Sequence, residues 1–185
     1  MSESYKFDPR QSKFTARAFA SGILSALGHS PTFAVRDFQG HMRFEAGRVE
    51  GMTLDLTIRA GSLELRDHVS PDDLHEIEQR MRRDVLTIEA FPEITYQAEN
   101  VSAEPIRQSE YRLRIGGRLT LRGITRPHAV DAHLKIFQDG ILLSGECPLH
   151  LPDYRIEPVT ALGGAIKLKD ELQVAFDLFS VLEGS

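Results

Sequence analysis

Residues 128–149 read HAVDAHLKIFQDGILLSGECPL, and their alternation decides the fold class. Val130, Ala132, Leu134 and Ile136 fall on one face, and Asp131, His133 and Lys135 on the other, the two-residue period of a strand with one dry side. Asp139-Gly140 separates this run from a second, in which Ile141, Leu143, Gly145 and Cys147 share a parity. Asp-Gly between two alternating runs is a strong hairpin signal.

The same period extends outward in both directions. TLDLTIRA (53–60) sets Leu54, Leu56 and Ile58 against Asp55, Thr57 and Arg59, and YRLRIGGRLTL (111–121) sets Tyr111, Leu113, Ile115, Gly117 and Leu119 against Arg112, Arg114, Arg118 and Thr120. Further strands are expected at about 13–20, 32–38, 40–47, 93–101 and 165–180. One segment departs from the pattern: Leu74, Ile77, Met81 and Val85 recur at helical spacing behind Ser70 and Pro71, which predicts a helix over about 71–90, broken near Asp84 and ended before Pro92. Its acidic start and basic end suit the helix dipole, so the arginines at 80, 82 and 83 need no ligand to explain them.

Strands with one dry face bury it by packing two sheets together or by closing one sheet into a barrel, and periodicity does not choose between these. The dry face mixes Gly117, Ala132, Gly145 and Cys147 with larger aliphatics. Such small residues either leave room for a ligand or let strands bend and approach.

The 185 residues, 41% of them hydrophobic, suffice for a single domain spanning 1–185 with a sizeable core. A net charge of -5 and the lack of a basic run argue against nucleic acid as a partner. The opening MSESYKFDPRQSKF has no apolar stretch of the kind found in secretion signals, and no later run is long enough to span a bilayer, so a soluble, cytoplasmic protein is expected. Cys147 is the sole cysteine: no intramolecular disulfide can form, and it reads as a buried small hydrophobe, a nucleophilic role requiring an activating base. The seven histidines make no HxxxH or HExxH pair, and Asp131 with His133 is an incomplete ligand set, so neither metal nor cofactor is expected.

In order along nearly the whole chain stand a Gly-His pair before FAVRDFQGHMRFEAG, then LTIRAGSLELRD, RRDVLTIEAFPEITYQAENV, GRLTLRGITRPHAV and YRIEPVTALGGAIKLKDELQVAFDL. This succession resembles the YceI-like family, the lipocalin-like polyisoprenoid-binding proteins. The resemblance implies a mostly β fold, a lipocalin-like antiparallel barrel of about eight strands with one short helical segment, closed around an elongated apolar pocket. It implies a long isoprenoid or other long-chain lipid as partner; a homodimer is compatible with it. Many resembling proteins carry a secretion signal and are periplasmic, a role not carried over here. The SPT insertion after His29 also alters the family's histidine-phenylalanine spacing.

On that reading the candidate pocket wall is Phe33, Val35, Leu54, Leu56, Ile58, Leu113, Ile115, Gly117, Ala132, Leu134 and Leu143. His29 either caps backbone groups, hydrogen-bonds a ligand head group or acts as a base. Arg122 and Arg126 flank the GIT turn and, with Arg66, are candidates for a rim that grips a phosphorylated lipid end, against ordinary solvated charge. The function expected is non-catalytic binding, carriage or sequestration of a polyisoprenoid, quinone or fatty-acyl lipid. The rival is an enzyme acting on an apolar substrate with His29, His128 or Asp153 as acid or base at the pocket mouth. A third reading is a filled barrel whose outer surface binds a protein.

Overall fold

A computed structural model describes residues 2–21, 30–45, 47–157, 160–161 and 166–184. The strands are β1 (Ser2–Phe7), β2 (Lys13–Ser21), β3 (Thr32–Val35), β4 (Phe38–Glu45), β5 (Arg48–Arg59), β6 (Leu63–Leu65), β7 (Glu93–Arg107), β8 (Glu110–Leu121), β9 (Ile124–Ile136), β10 (Ile141–His150), β11 (Thr160–Ala161) and β12 (Ile166–Leu182). They pair in the order β1-β4-β5-β7-β8-β9-β10-β12, and β12 pairs back to β1, so the antiparallel sheet closes into an eight-stranded barrel.

Several staves of the barrel are interrupted. The edge of β12 pairs with β1 at Ser180–Leu182 and with β2 at Lys167–Asp177, so β1 and β2 lie end to end along one partner. On the far side β1 pairs with β4 and β2 with β3, while β4 pairs with β5 and β3 with β6. The expected strand at 32–38 therefore breaks at Arg36-Asp37, where the Ser62 hydroxyl and the Asp37 backbone bond to each other across the bend. Neither β1 nor β6 is apparent in the sequence: each sets only two side chains inward, Tyr5 with Phe7 and Leu63 with Leu65, too few repeats to make a period.

The Asp139-Gly140 hairpin forms with Ile141 opposite Ile136, across a four-residue loop closed by Phe137 N–H to the Gly140 carbonyl at 2.8 Å. Gly140 is required there for space, since a Cβ would run into the Ser180 backbone carbonyl and stand 2.7 Å from the Phe179 ring. Helix α1 (Pro71–Arg80) starts as expected: the Ser70 side chain accepts from Asp73 N–H at 3.2 Å, and Pro71 takes the first helical position. The helix ends earlier than 90. A π-helical turn over Met81–Val85 widens it, and Thr87, with φ of 49°, reverses the chain so that Phe91 N–H bonds back to its carbonyl.

The barrel interior has two unlike halves. Around the tips of β4–β5, β7–β8 and β9–β10 it is solid: Met42, Leu113, Ala132, Leu134 and Ile141 are each at most 1% exposed and line neither of the two cavities described below, and Tyr5 stacks on Phe44 at 5.4 Å. Toward the opposite end, beneath α1, the interior opens.

Candidate functional site

The open half contains an apolar cavity of about 160 Å³, whose walls include Val35, Leu56, Ile115, Leu143 and Phe176. A second cavity, of about 90 Å³, lies between the barrel and α1 against Phe33, Ile77 and Met81. The two share Ala16, Leu63, Val85, Leu86, Leu151 and Leu172, so they are adjacent chambers with a common apolar wall. An apolar cavity of roughly 150 Å³ is large enough to stay dry and take up benzene. The amphipathic spacing of α1 and its π turn supplies the roof. Ile77, Met81, Val85 and Leu86 face the barrel, and the Glu78 carboxylate pins the helix by accepting Leu65 N–H at 3.2 Å.

One wall of the first chamber differs from the others. Among the described residues the β9–β10 ladder stops at Ala132↔Gly145; beyond it, β9 pairs only with β8 and β10 only with β12. Each separated stretch carries a proline, Pro127 or Pro148, which has no N–H to give a ladder. The seam is spanned by side chains. His128 Nε2 lies 3.5 Å from Cys147 Sγ, and the Tyr96 ring stands edge-on to His128 at 6.5 Å. The Tyr96 hydroxyl is within hydrogen-bond reach of the carbonyls of His128 (3.1 Å) and Ile115 (3.3 Å). Outside the seam, a 3-10 turn over Leu151–Tyr154 is strapped to the β8–β9 turn: Arg126 donates to the Asp153 carbonyl and Arg122 to the Arg155 carbonyl, both at 3.3 Å.

Burial favours the uncharged forms of the three side chains at the seam, Tyr96, His128 and Cys147. Burial pushes the Cys147 thiol up to about 11 and holds the His128 imidazole below its usual range. Burial, with smaller contributions from the neighbouring Cys147 and Glu99, carries the Tyr96 phenol to about 12. A thiolate-imidazolium pair, as a thiol nucleophile requires, is therefore disfavoured.

Of the residues singled out in the sequence, Val35, Leu54, Leu56, Ile58, Ile115 and Leu143 come together on the first chamber, and Phe33 faces the second. Leu113, Ala132 and Leu134 lie in the solid half and line neither. Gly117 is a seat for an aromatic ring: a Cβ there would stand 2.6 Å from Tyr96, so the ring, not open space, covers it. Arg122 and Arg126 hold the outer strap rather than face the cavity. Asp153 is also outside, 3.3 Å from His150 Nδ1. His29 lies outside the described residues.

The sequence reading left Tyr96 out, gave Cys147 no partner and placed His128 only among acid-base candidates at the mouth. The signal was present in the parity, since two residues back from Val130 is His128 and two on from Gly145 is Cys147.

A family model for the YceI-like domain matches residues 5–179. Among solved structures, BcnA of Burkholderia cenocepacia is similar with a TM-score of 0.73 at 17% identity, covering 94% of this chain and 98% of that one. A polyisoprenoid binding domain from Saccharophagus degradans, implicated in plant cell wall breakdown, gives 0.69 at 13% identity, covering 96% and 98%. The YceI protein of Campylobacter jejuni gives 0.62 at 16% identity, covering 82% and 84%. No curated protein matches the chain. Among the described residues no helix is long and apolar enough to cross a membrane.

Proposed function

The chain belongs to the YceI-like family, and from that premise we propose that its barrel binds a long apolar lipid, of polyisoprenoid, quinone or fatty-acyl type, to carry or sequester it without chemical turnover. The observation that carries this reading is the pair of apolar chambers sharing one wall, about 160 and 90 Å³. A chain threaded from the first chamber into the second meets Val35, Leu54, Leu56, Ile58, Ile115 and Leu143, then Phe33 under the helix. At about 0.8 kcal/mol per buried methylene, ten methylenes supply about 8 kcal/mol before the costs of association are subtracted. The similarity to a polyisoprenoid binding domain supports the same class of ligand.

The test is organic extraction of the purified protein followed by mass spectrometry. A stoichiometric long-chain lipid is the expected result. Protein that comes empty from several expression hosts and takes up neither isoprenoid nor fatty-acyl probes contradicts it.

A further inference from the structure

Among the described residues the first chamber carries side-chain heteroatoms only at Thr95, Tyr96, His128 and Cys147, and none of its described lining residues is Lys, Arg, Asp or Glu. The cation beside the second chamber, Arg80, is engaged by Glu76 at 3.7 Å and Asp84 at 3.8 Å. Arg122 and Arg126 point their guanidinium groups at carbonyls of the outer strap. A phosphate or carboxylate drawn into either chamber would therefore lose water without gaining a free cation, a heavy cost for a charged group.

His128 is placed to meet a ligand. The Tyr96 hydroxyl points its single proton at backbone carbonyls and so can only accept from a ligand, whereas the partner of His128 Nε2 is a thiol at 3.5 Å, a weak donor and a weak acceptor. A ligand oxygen is a stronger partner for an imidazole nitrogen, and the displaced thiol, already behaving as a small hydrophobe, gives up little. A neutral imidazole offers one N–H and one lone pair, so it can serve a carbonyl or a hydroxyl equally. Backbone pairing does not fill the space around it, because the β9–β10 ladder has ended at Ala132.

We propose that His128 anchors the ligand through an uncharged oxygen, so that the barrel selects a long apolar alcohol or ketone over the matching phosphate and over the bare hydrocarbon. This rests on the lipid-binding reading and names the polar end of the ligand, which the apolar walls leave open.

The test is displacement of a bound fluorescent polyene from lipid-free protein by geranylgeraniol, geranylgeranyl phosphate and the hydrocarbon of the same skeleton. In the wild type the alcohol competes about five- to tenfold more strongly than the hydrocarbon, as one buried hydrogen bond implies, and more strongly than the phosphate. His128→Phe keeps a ring against Tyr96 and removes the hydrogen bond; it brings the alcohol to parity with the hydrocarbon, each measured in the same variant. Cys147→Ala leaves the alcohol's advantage in place. An advantage that survives His128→Phe, or phosphate competing as well as alcohol in the wild type, overturns the assignment while leaving lipid binding intact. If the phenylalanine variant fails to fold, the wild-type order of the three competitors decides. Failure of all three to displace the polyene overturns the lipid-binding reading and this assignment with it.

Discussion

Enlarging one alanine in each half of the barrel separates hollow from solid. Ala16, on β2, lines both chambers, whereas Ala132, on β9, is 1% exposed, wedged between its neighbours Leu113 and Gly145. Ala16→Leu adds three carbons that can enter open apolar space, a gain of about 2 kcal/mol at 0.8 kcal/mol per carbon, less about 0.5–1 kcal/mol of rotamer entropy. Ala132→Leu has no space to enter, and overpacking costs about 1–3 kcal/mol. The bound lipid should register the opposite change. Ala16→Leu removes room for about three methylenes and weakens binding about thirty-fold, the equivalent of about 2 kcal/mol, while the folded fraction of Ala132→Leu binds as wild type. Urea denaturation of lipid-free protein and titration with a fluorescent polyene read the two quantities. Equal destabilisation by both substitutions would refute the division of the interior, as would unchanged affinity in Ala16→Leu.

Gly117→Ala places a Cβ 2.6 Å from the Tyr96 ring, so it should cost about 1–3 kcal/mol in a denaturation midpoint; a neutral substitution would mean the ring does not rest there. Arg122 and Gly123 form the β8–β9 turn with φ of 51° and 70°, the geometry that favours Asn-Gly. Arg122→Asn should therefore keep or raise stability, by up to about 1 kcal/mol, and a loss beyond that would show the strap contact to Arg155 outweighing the turn. The Cys147 thiol ionises near 11 in the folded state against an ordinary value of 9.0. Its contribution is thus complete below pH 9 and is lost as pH rises toward 11, so Cys147→Ala should flatten the alkaline fall in stability over that window. Alkylation of native protein at pH 8 should be slow and become rapid on unfolding.

The barrel was legible because it is written in short-range chemistry. Leu54, Leu56 and Ile58, or Leu113 and Ile115, must share a face whatever they pack against, and the Ser70-Pro71 start of α1 is a local signal. What the period cannot express is depth. Ala132 and Leu134 have the same parity as Val130 on the one strand β9, yet the first two are in the solid half and Val130 lines a chamber. That difference depends on which rings reach the same level from other strands. Gly117 shows the same limit: its lack of a side chain reads equally as room for a ligand or for a neighbour, and only the position of Tyr96 decides. The seam between β9 and β10 had a visible cause in Pro127 and Pro148, but its consequence, a His128–Cys147 contact across the opening, depends on pairing between strands.

The most direct measurement is photo-crosslinking of lipid-free protein with hexadecanol carrying a mid-chain diazirine, followed by peptide mapping in the presence and absence of excess geranylgeraniol. The account predicts adducts on the walls of the hollow half, at residues such as Leu56, Ile115, Leu143 and Phe176, suppressed by the competitor, and none on Met42, Leu113 or Leu134. Adducts confined to outward residues such as Lys13 or Arg112, or undiminished by the competitor, would contradict it.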